Sequence, residues 1–158
     1  MTESVSLVTP TGDGTDRQRL MNSTWTHHMP TPFSQGWRVG NLVFTGGQLS
    51  SDEHGNVVGE GDIEVQTRNV FQSLTNVLAE AGATWEDVVK VNTYYCFDGT
   101  GEDVQRNWEA MTRVRMEFLP KEGPAGTGVR VAGLMYDGFL IEAEAIAVLQ
   151  DRGTGSSD

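Results

Sequence analysis

Two carboxylates, Glu142 and Glu144, stand two residues apart in "FLIEAEAIAVL" (139–149). If that run is a strand, alternation puts both on one face with Leu140 and Ile146, while Ile141, Ala143, Ala145 and Ala147 take the other. Paired acids on one face shift each other's ionisation, which suits a group that moves protons or orients water. A carboxylate can also serve a subunit contact, and for Glu144 both readings stay open. Adjacent His27 and His28 precede "MPTPFSQ". Imidazole titrates near neutral pH and can act as general acid or base, although histidines in an N-terminal segment can equally be exposed bystanders. His54, in "DEHGN", reads as a loop residue. Cys96 is the single cysteine, which excludes an intrachain disulfide and a Cys-rich zinc site. In "VNTYYCF" it lacks a basic neighbour to activate it and reads as a small buried hydrophobe.

The elements that must hold these groups follow from changes of period along the chain. "WRVGNLVFTGGQ" (37–48) reads as two short strands, or one bent strand, broken at Gly40-Asn41. The polar "SSDEHGNVVGEGD" is a loop with a brief extended "VV". From Asp62 to Ala83 the period is helical, with Ile63, Phe71, Leu74, Val77 and Leu78 on one stripe. Asp62 suits the N-cap, and Gly82 stands where a helix end wants positive φ. "DVVKVNTYYCF" (87–97) is a β-branched and aromatic strand in which Asn92, Tyr94 and Cys96 share a face and Tyr95 opposes them. A second helix spans about 102–118, with Val104, Trp108, Met111 and Val114 or Arg115 inward. Strands near 127–135 and 139–149 close the domain. The order β-β-α-β-α-β-β predicts an α+β fold, one mixed sheet with two helices on one face. The other face needs a cover, and with no third helix that cover is another copy of the chain.

Bulk properties bound the rest. A chain of 158 residues with 37% hydrophobic content suits one domain, taken here as 23–150 between Gly-, Ser- and Thr-rich tails at 1–22 and 151–158. No run of about 18 apolar residues is present, so no membrane span is expected. The opening residues lack a basic start followed by an apolar stretch, which predicts no signal peptide and a cytoplasmic location. A formal charge of −11, with no dense basic patch, argues against nucleic-acid binding.

Taken together, "PFSQGWRVGNLVFTGGQLS", "GDIEVQTRNVFQSLTNVLAEAGATWEDVVKVNTYY", "GPAGTGVRVAGL" and "LIEAEAIAVL" resemble the reactive intermediate deaminase family (Rid, formerly YjgF, also UK114) over about 30–149. The resemblance implies a chorismate-mutase-like fold and a homotrimer whose sheets line a central barrel. A small-molecule ligand then lies in each intersubunit cleft, and no metal or organic cofactor is needed. Characterised relatives hydrolyse imines and enamines to a keto compound and ammonia.

Carried over residue by residue, the resemblance gives Glu142 the role of positioning the attacking water, and keeps the backbone donors around Gly47. Several other positions depart from the family pattern. Gly126, after Pro124 and Ala125, stands where the family's arginine grips a substrate carboxylate. Gly46, before Gly47 and Gln48, replaces a serine; Phe33 in "PFSQ" replaces a tyrosine; Gly128 replaces a cysteine; and Gln105 matches a helix asparagine. His28 would lie at the cleft mouth. Arg130 shares strand parity with Gly126, and Arg113 and Arg115 lie at the helix end, so these three are candidates to reach the cleft or to form ion pairs. Losing one charge-assisted contact costs about 1.5–3 kcal/mol, which changes the ligand class without removing the carboxylate. Three readings follow: a hydrolase with a changed substrate, a non-catalytic ligand-binding trimer, or a structural trimer.

Overall fold

The computed structural model describes residues 16–21 and 31–150. Seven strands form one mixed sheet: β1 Arg17–Leu20, β2 Gly36–Val39, β3 Leu42–Thr45, β4 Gln48–Leu49, β5 Val88–Tyr95, β6 Ala125–Arg130 and β7 Ile141–Val148. Helix α1 (Ile63–Glu80) lies between β4 and β5, and α2 (Glu102–Arg115) between β5 and β6. The sheet runs β1-β2-β3-β7-β5-β6, with β4 continuing beside β7. Only the β5–β6 pair is parallel; every other ladder is antiparallel.

β7 is the central strand, bonded to β3 and β4 on one edge and to β5 on the other. Its alternation is complete: Ile141, Ala143, Ala145 and Ala147 are buried, and the residues between them half-buried. Three alanines on the inner face let α1 lie close, and its Val70, Phe71, Leu74, Val77 and Leu78 fill the space above them. Asp62 caps α1 as expected, its Oδ1 accepting from the amides of Glu64 and Val65 at 3.0 Å. Gly82 takes φ +78°, as the end of the helix requires. The Trp85 ring stacks on Phe71 at 5.2 Å while its Nε1 donates to Thr75 Oγ1 at 2.8 Å, so the indole packs half-buried against the core with its polar atom satisfied.

One buried amide joins three segments. Gln66 Nε2 donates to Gly59 O and Gly138 O, and Gln66 Oε1 accepts from the Leu140 amide at 2.8 Å. The contact fixes where β7 begins relative to α1.

Three sequence expectations need correction. Residues 17–20, assigned to a frayed tail, form β1 and pair antiparallel with β2, with Leu20 fully buried. "RQRL" shows a single apolar residue because this is an edge strand whose other side chains meet solvent. Gly36, opposite Leu20, leaves room for it: a Cβ there would lie 3.0 Å from Leu20 Cδ1 and 2.7 Å from Phe44 O. Trp108, expected inward, is 49% exposed; α2 buries only Ala110, Met111 and Val114. The strand expected near 127–135 is Ala125–Arg130, and every residue of it is exposed. The break expected at Gly40-Asn41 is present, and of its two readings the two-strand one holds: a two-residue hairpin turn joins β2 and β3, with Gly40 at φ +60°.

The helix-free face of the sheet is open in the single chain, with Leu42, Phe44 and Val129 each about 40% exposed. Among the described residues no helix is long and apolar enough to cross a membrane.

If β1 is part of the core, Leu20→Ala should destabilise the protein by about 2–5 kcal/mol, read as a lower midpoint in urea unfolding. A change below ~0.5 kcal/mol would mean that β1 is dispensable.

Candidate active site

Glu142 projects from the outward face of β7 into a cavity of about 540 Å³. Its walls are the chain before β2 (Phe33, Ser34, Gln35), the β3–β4 turn (Gly46, Gly47, Gln48, Leu49), the loop 51–55, one side of α1 (Asn69, Gln72, Ser73, Asn76) and Met135, Tyr136 and Phe139 ahead of β7. The strand register explains the meeting: Leu49 stands opposite Glu142 and Gln48 opposite Ala143, so the turn before β4 folds over the carboxylate.

Gly47 is the closest neighbour by shape. A Cβ built on it would lie 1.9 Å from Glu142 Oε1 and 2.8 Å from Cδ, so only glycine lets the backbone meet the carboxylate. The turn is held by Gln48, whose Nε2 donates to Gly46 O at 3.1 Å and Gly47 O at 3.3 Å, and by the Gly46 amide donating to Gln35 O at 2.6 Å. Position 46 is also tight, since a Cβ there would lie 3.1 Å from Ser34 O.

Burial raises the Glu142 carboxyl above the usual glutamate range, and the Glu144 charge adds to the shift. Glu144 points the same way but does not line this cavity. It accepts from Asn92 Nδ2 at 2.9 Å and Tyr94 Oη at 3.5 Å, and borders a smaller cavity of about 130 Å³ with Phe44 and Lys90. The Tyr94 phenol is pushed upward, first by the Glu144 charge.

Of the residues singled out from sequence, Glu142, Phe33, Gly46, Gly47 and Gln48 come together in this cavity. Gly126, Gly128 and Arg130 do not: they lie on β6, at the far edge of the sheet beyond β5. Gly126 meets nothing within 4 Å of a built Cβ, and Gly128 packs near the Tyr95 ring at 3.5 Å. The Arg130 guanidinium donates to Phe97 O and Gly99 O and lies over the Phe97 ring, so it braces a loop. Gln105 is exposed on α2 and donates to Glu109 Oε1. Arg113 pairs with Glu64. Arg115 is half-buried against Met111, its Nε without a partner, and burial lowers its pKa. His27 and His28 lie outside the described residues. Cys96 Sγ contacts Ala132 O and lines neither cavity.

The sequence reading missed most of the lining. His54, read as a plain loop residue, is indeed in an exposed loop but stands at the cavity rim. Asn69, Gln72, Ser73 and Asn76 recur at helical spacing on the side of α1 away from its apolar stripe, a run of uncharged polar residues that could have been noticed. Gln35 is 3% exposed and had no signal beyond its place in "PFSQ". No group of three or more His, Cys, Asp or Glu side chains among the described residues is arranged to hold a metal.

The architecture is the chorismate-mutase-like α+β fold, and comparisons agree. The family profile described as Endoribonuclease L-PSP matches residues 26–149. A RutC family protein of Pyrococcus abyssi is 38% identical over 116 residues, covering 73% of this chain and 85% of that protein. A RutC family protein of Synechocystis is 32% identical over 120 residues, covering 75% and 86%. Among solved structures, a putative endoribonuclease of Thermotoga maritima superposes with a TM-score of 0.71 at 30% identity, covering 84% of this chain and 98% of that one. RidA of an Antarctic Psychrobacter gives a TM-score of 0.70 at 25% identity, covering 84% and 99%. The chain belongs to the Endoribonuclease L-PSP family, known also as the YjgF/Rid family.

The Gly47–Glu142 contact yields a direct test. Gly47→Ala should displace the carboxylate, lowering occupancy or turnover at this cavity about 100-fold or more while leaving the far-UV circular dichroism unchanged. Wild-type behaviour in this variant would show that the contact is not needed.

Proposed function

We propose that the protein is a homotrimeric hydrolase of imines or enamines, of the deaminase type, with Glu142 as the group that positions and deprotonates water. The observation that carries this reading is the Glu142 carboxylate, half-buried in the cavity and pressed against the glycine turn. An iminium carbon is already electrophilic, so hydrolysis needs a base for water and a proton for the leaving nitrogen. Water adds to the carbon as Glu142 takes its proton. The same proton then passes to nitrogen, and as the C–N bond breaks the freed Glu142 carboxylate takes the remaining hydroxyl proton and gives it to the departing ammonia, so that a carbonyl compound and ammonium leave and the carboxylate is restored. A carboxylate whose pKa is raised by burial is the stronger base for the first step, and it keeps the proton it has taken until the nitrogen, the more basic group, receives it. An enamine must first take a proton on carbon to enter the same path.

Trimer formation is supported by the open sheet face bearing Leu42, Phe44 and Val129, and by the fully exposed edge strand β6. In such an assembly β6 of one copy would border the Glu142 cavity of the next, which accounts for the separation of Gly126 and Gly128 from Glu142 within one chain. The net charge of −11 disfavours a polynucleotide substrate. The competing reading is a ligand-binding trimer without turnover, favoured by glycine at position 126.

Glu142→Gln should reduce kcat for ammonia release from enzymatically generated imines by about 100-fold or more while the protein stays folded. The same change should raise Tm at neutral pH. A carboxyl whose folded pKa is raised loses stability as pH climbs through the interval between its unfolded and folded values, and the amide is free of that loss. The acid limb of the wild-type kcat/KM profile should lie above the ordinary glutamate range for the same reason. Persistent turnover in the variant would remove Glu142 from the mechanism.

Gly126→Arg examines the assembly. The site has open space for a side chain, so the variant should fold normally and acquire ammonia release from α-imino acids at least about tenfold above wild type. A folded variant without that gain would separate β6 from the reaction site.

A further inference from the structure

The charges and the one orphaned acceptor of the cavity carry a conclusion about its ligand, resting on the reading above that this cavity is the substrate site. We propose that the cavity selects an uncharged or cationic ligand bearing an N–H donor, received by the buried side-chain oxygen of Gln35, and that it turns away carboxylates.

Gln35 is 97% buried by its 3% exposure, lines the cavity, and its Oε1 has no hydrogen-bond partner. Buried amide oxygens are nearly always paired, and one left alone is costly, so a ligand donor that reaches it gains what the free protein lacks. The backbone of the same residue is already committed, its carbonyl accepting from the Gly46 amide. That bond ties the Gln35 backbone to the glycine turn that meets Glu142.

Electrostatics point the same way. Asp52, Glu53 and Glu142 line the cavity, and among the described residues no lysine or arginine does. Asp52 stays ionised because Asn56 and the amides of Asn56 and His54 hold its carboxylate, lowering its pKa. Arg19 does not line the cavity; its guanidinium is spent on Ser34 Oγ and Phe33 O behind the wall, where a ligand in the cavity does not meet its N–H donors. A carboxylate entering here would lose water and meet like charge, whereas an iminium or amide would meet acceptors. The α1 wall adds uncharged amides, and Phe33, Met135 and Phe139 offer an apolar surface for an alkyl or aryl body. The ligand class is thus an imine, iminium or amide-like molecule with an apolar substituent and no free acid.

Isothermal titration of the full-length assembled protein with a matched pair of stable compounds decides the matter: 2-oxo-2-phenylacetamide and 2-oxo-2-phenylacetate differ only in amide against carboxylate. The amide should bind at least about tenfold tighter, and Gln35→Met, close in shape, should reduce amide affinity about tenfold while leaving the acid unchanged. Equal or tighter binding of the acid overturns the proposal, as does binding of neither, or a folded Gln35→Met variant with unaltered amide affinity. Should that variant fail to fold, the wild-type comparison still decides. Turnover of carboxylate-bearing imino acids that depends on Glu142 would sustain the hydrolase and defeat this selectivity. Amide preference without any turnover would do the reverse.

Discussion

The two-faced alternation of β7 is the constraint on which the rest of the molecule hangs. This strand is bonded on both edges, its inner alanines set how closely α1 can lie, and its outer residues include both glutamates. A slip of one residue would turn the carboxylates into the helix layer and the alanines outward, and no local adjustment could repair that. Gln66 holds the register by gripping the Leu140 amide and the Gly138 carbonyl just ahead of the strand. Its three hydrogen bonds satisfy both ends of a fully buried side chain, so the amide specifies position without leaving a polar atom unpaired.

The site inherits this order. Glu142 projects from the face of β7 opposite the inner alanines, the turn before β4 lies directly against it, and that turn can approach so closely because position 47 has no side chain. Desolvation by that cover, with Glu144 two residues along, is what moves the carboxyl upward. Backbone geometry and acid strength are here one effect seen from two sides.

Much of this was legible in the sequence, for identifiable reasons. The periods of α1 and β7, the Asp62 cap and the Gly82 end are local signals, and the structure agrees with them. What local signals could not give were features decided by neighbours distant in sequence. β1 is a strand because β2 offers an edge and Gly36 makes room for Leu20, neither of which "RQRL" announces. Trp108 satisfies a helical stripe, yet α2 meets the core through a narrower band. In the site, Glu142 and the glycine turn carried a recognisable pattern. The amide wall of α1 and Gln35 belong to it only because the loop 51–55 and the strand order bring them there.

The two glycine positions differ in what they permit. At Gly47 an added carbon collides with the carboxylate, and that spot is frozen by geometry. At Gly126 an added carbon meets nothing within 4 Å in the single chain, on a strand whose six residues are all exposed. The sheet therefore has a crowded side, where a carboxylate is fitted against the backbone, and an open edge at β6, where an added carbon has room in the single chain. On the trimer proposed above, single substitutions at this open edge would exchange one ligand for another while the carboxylate end stays as it is.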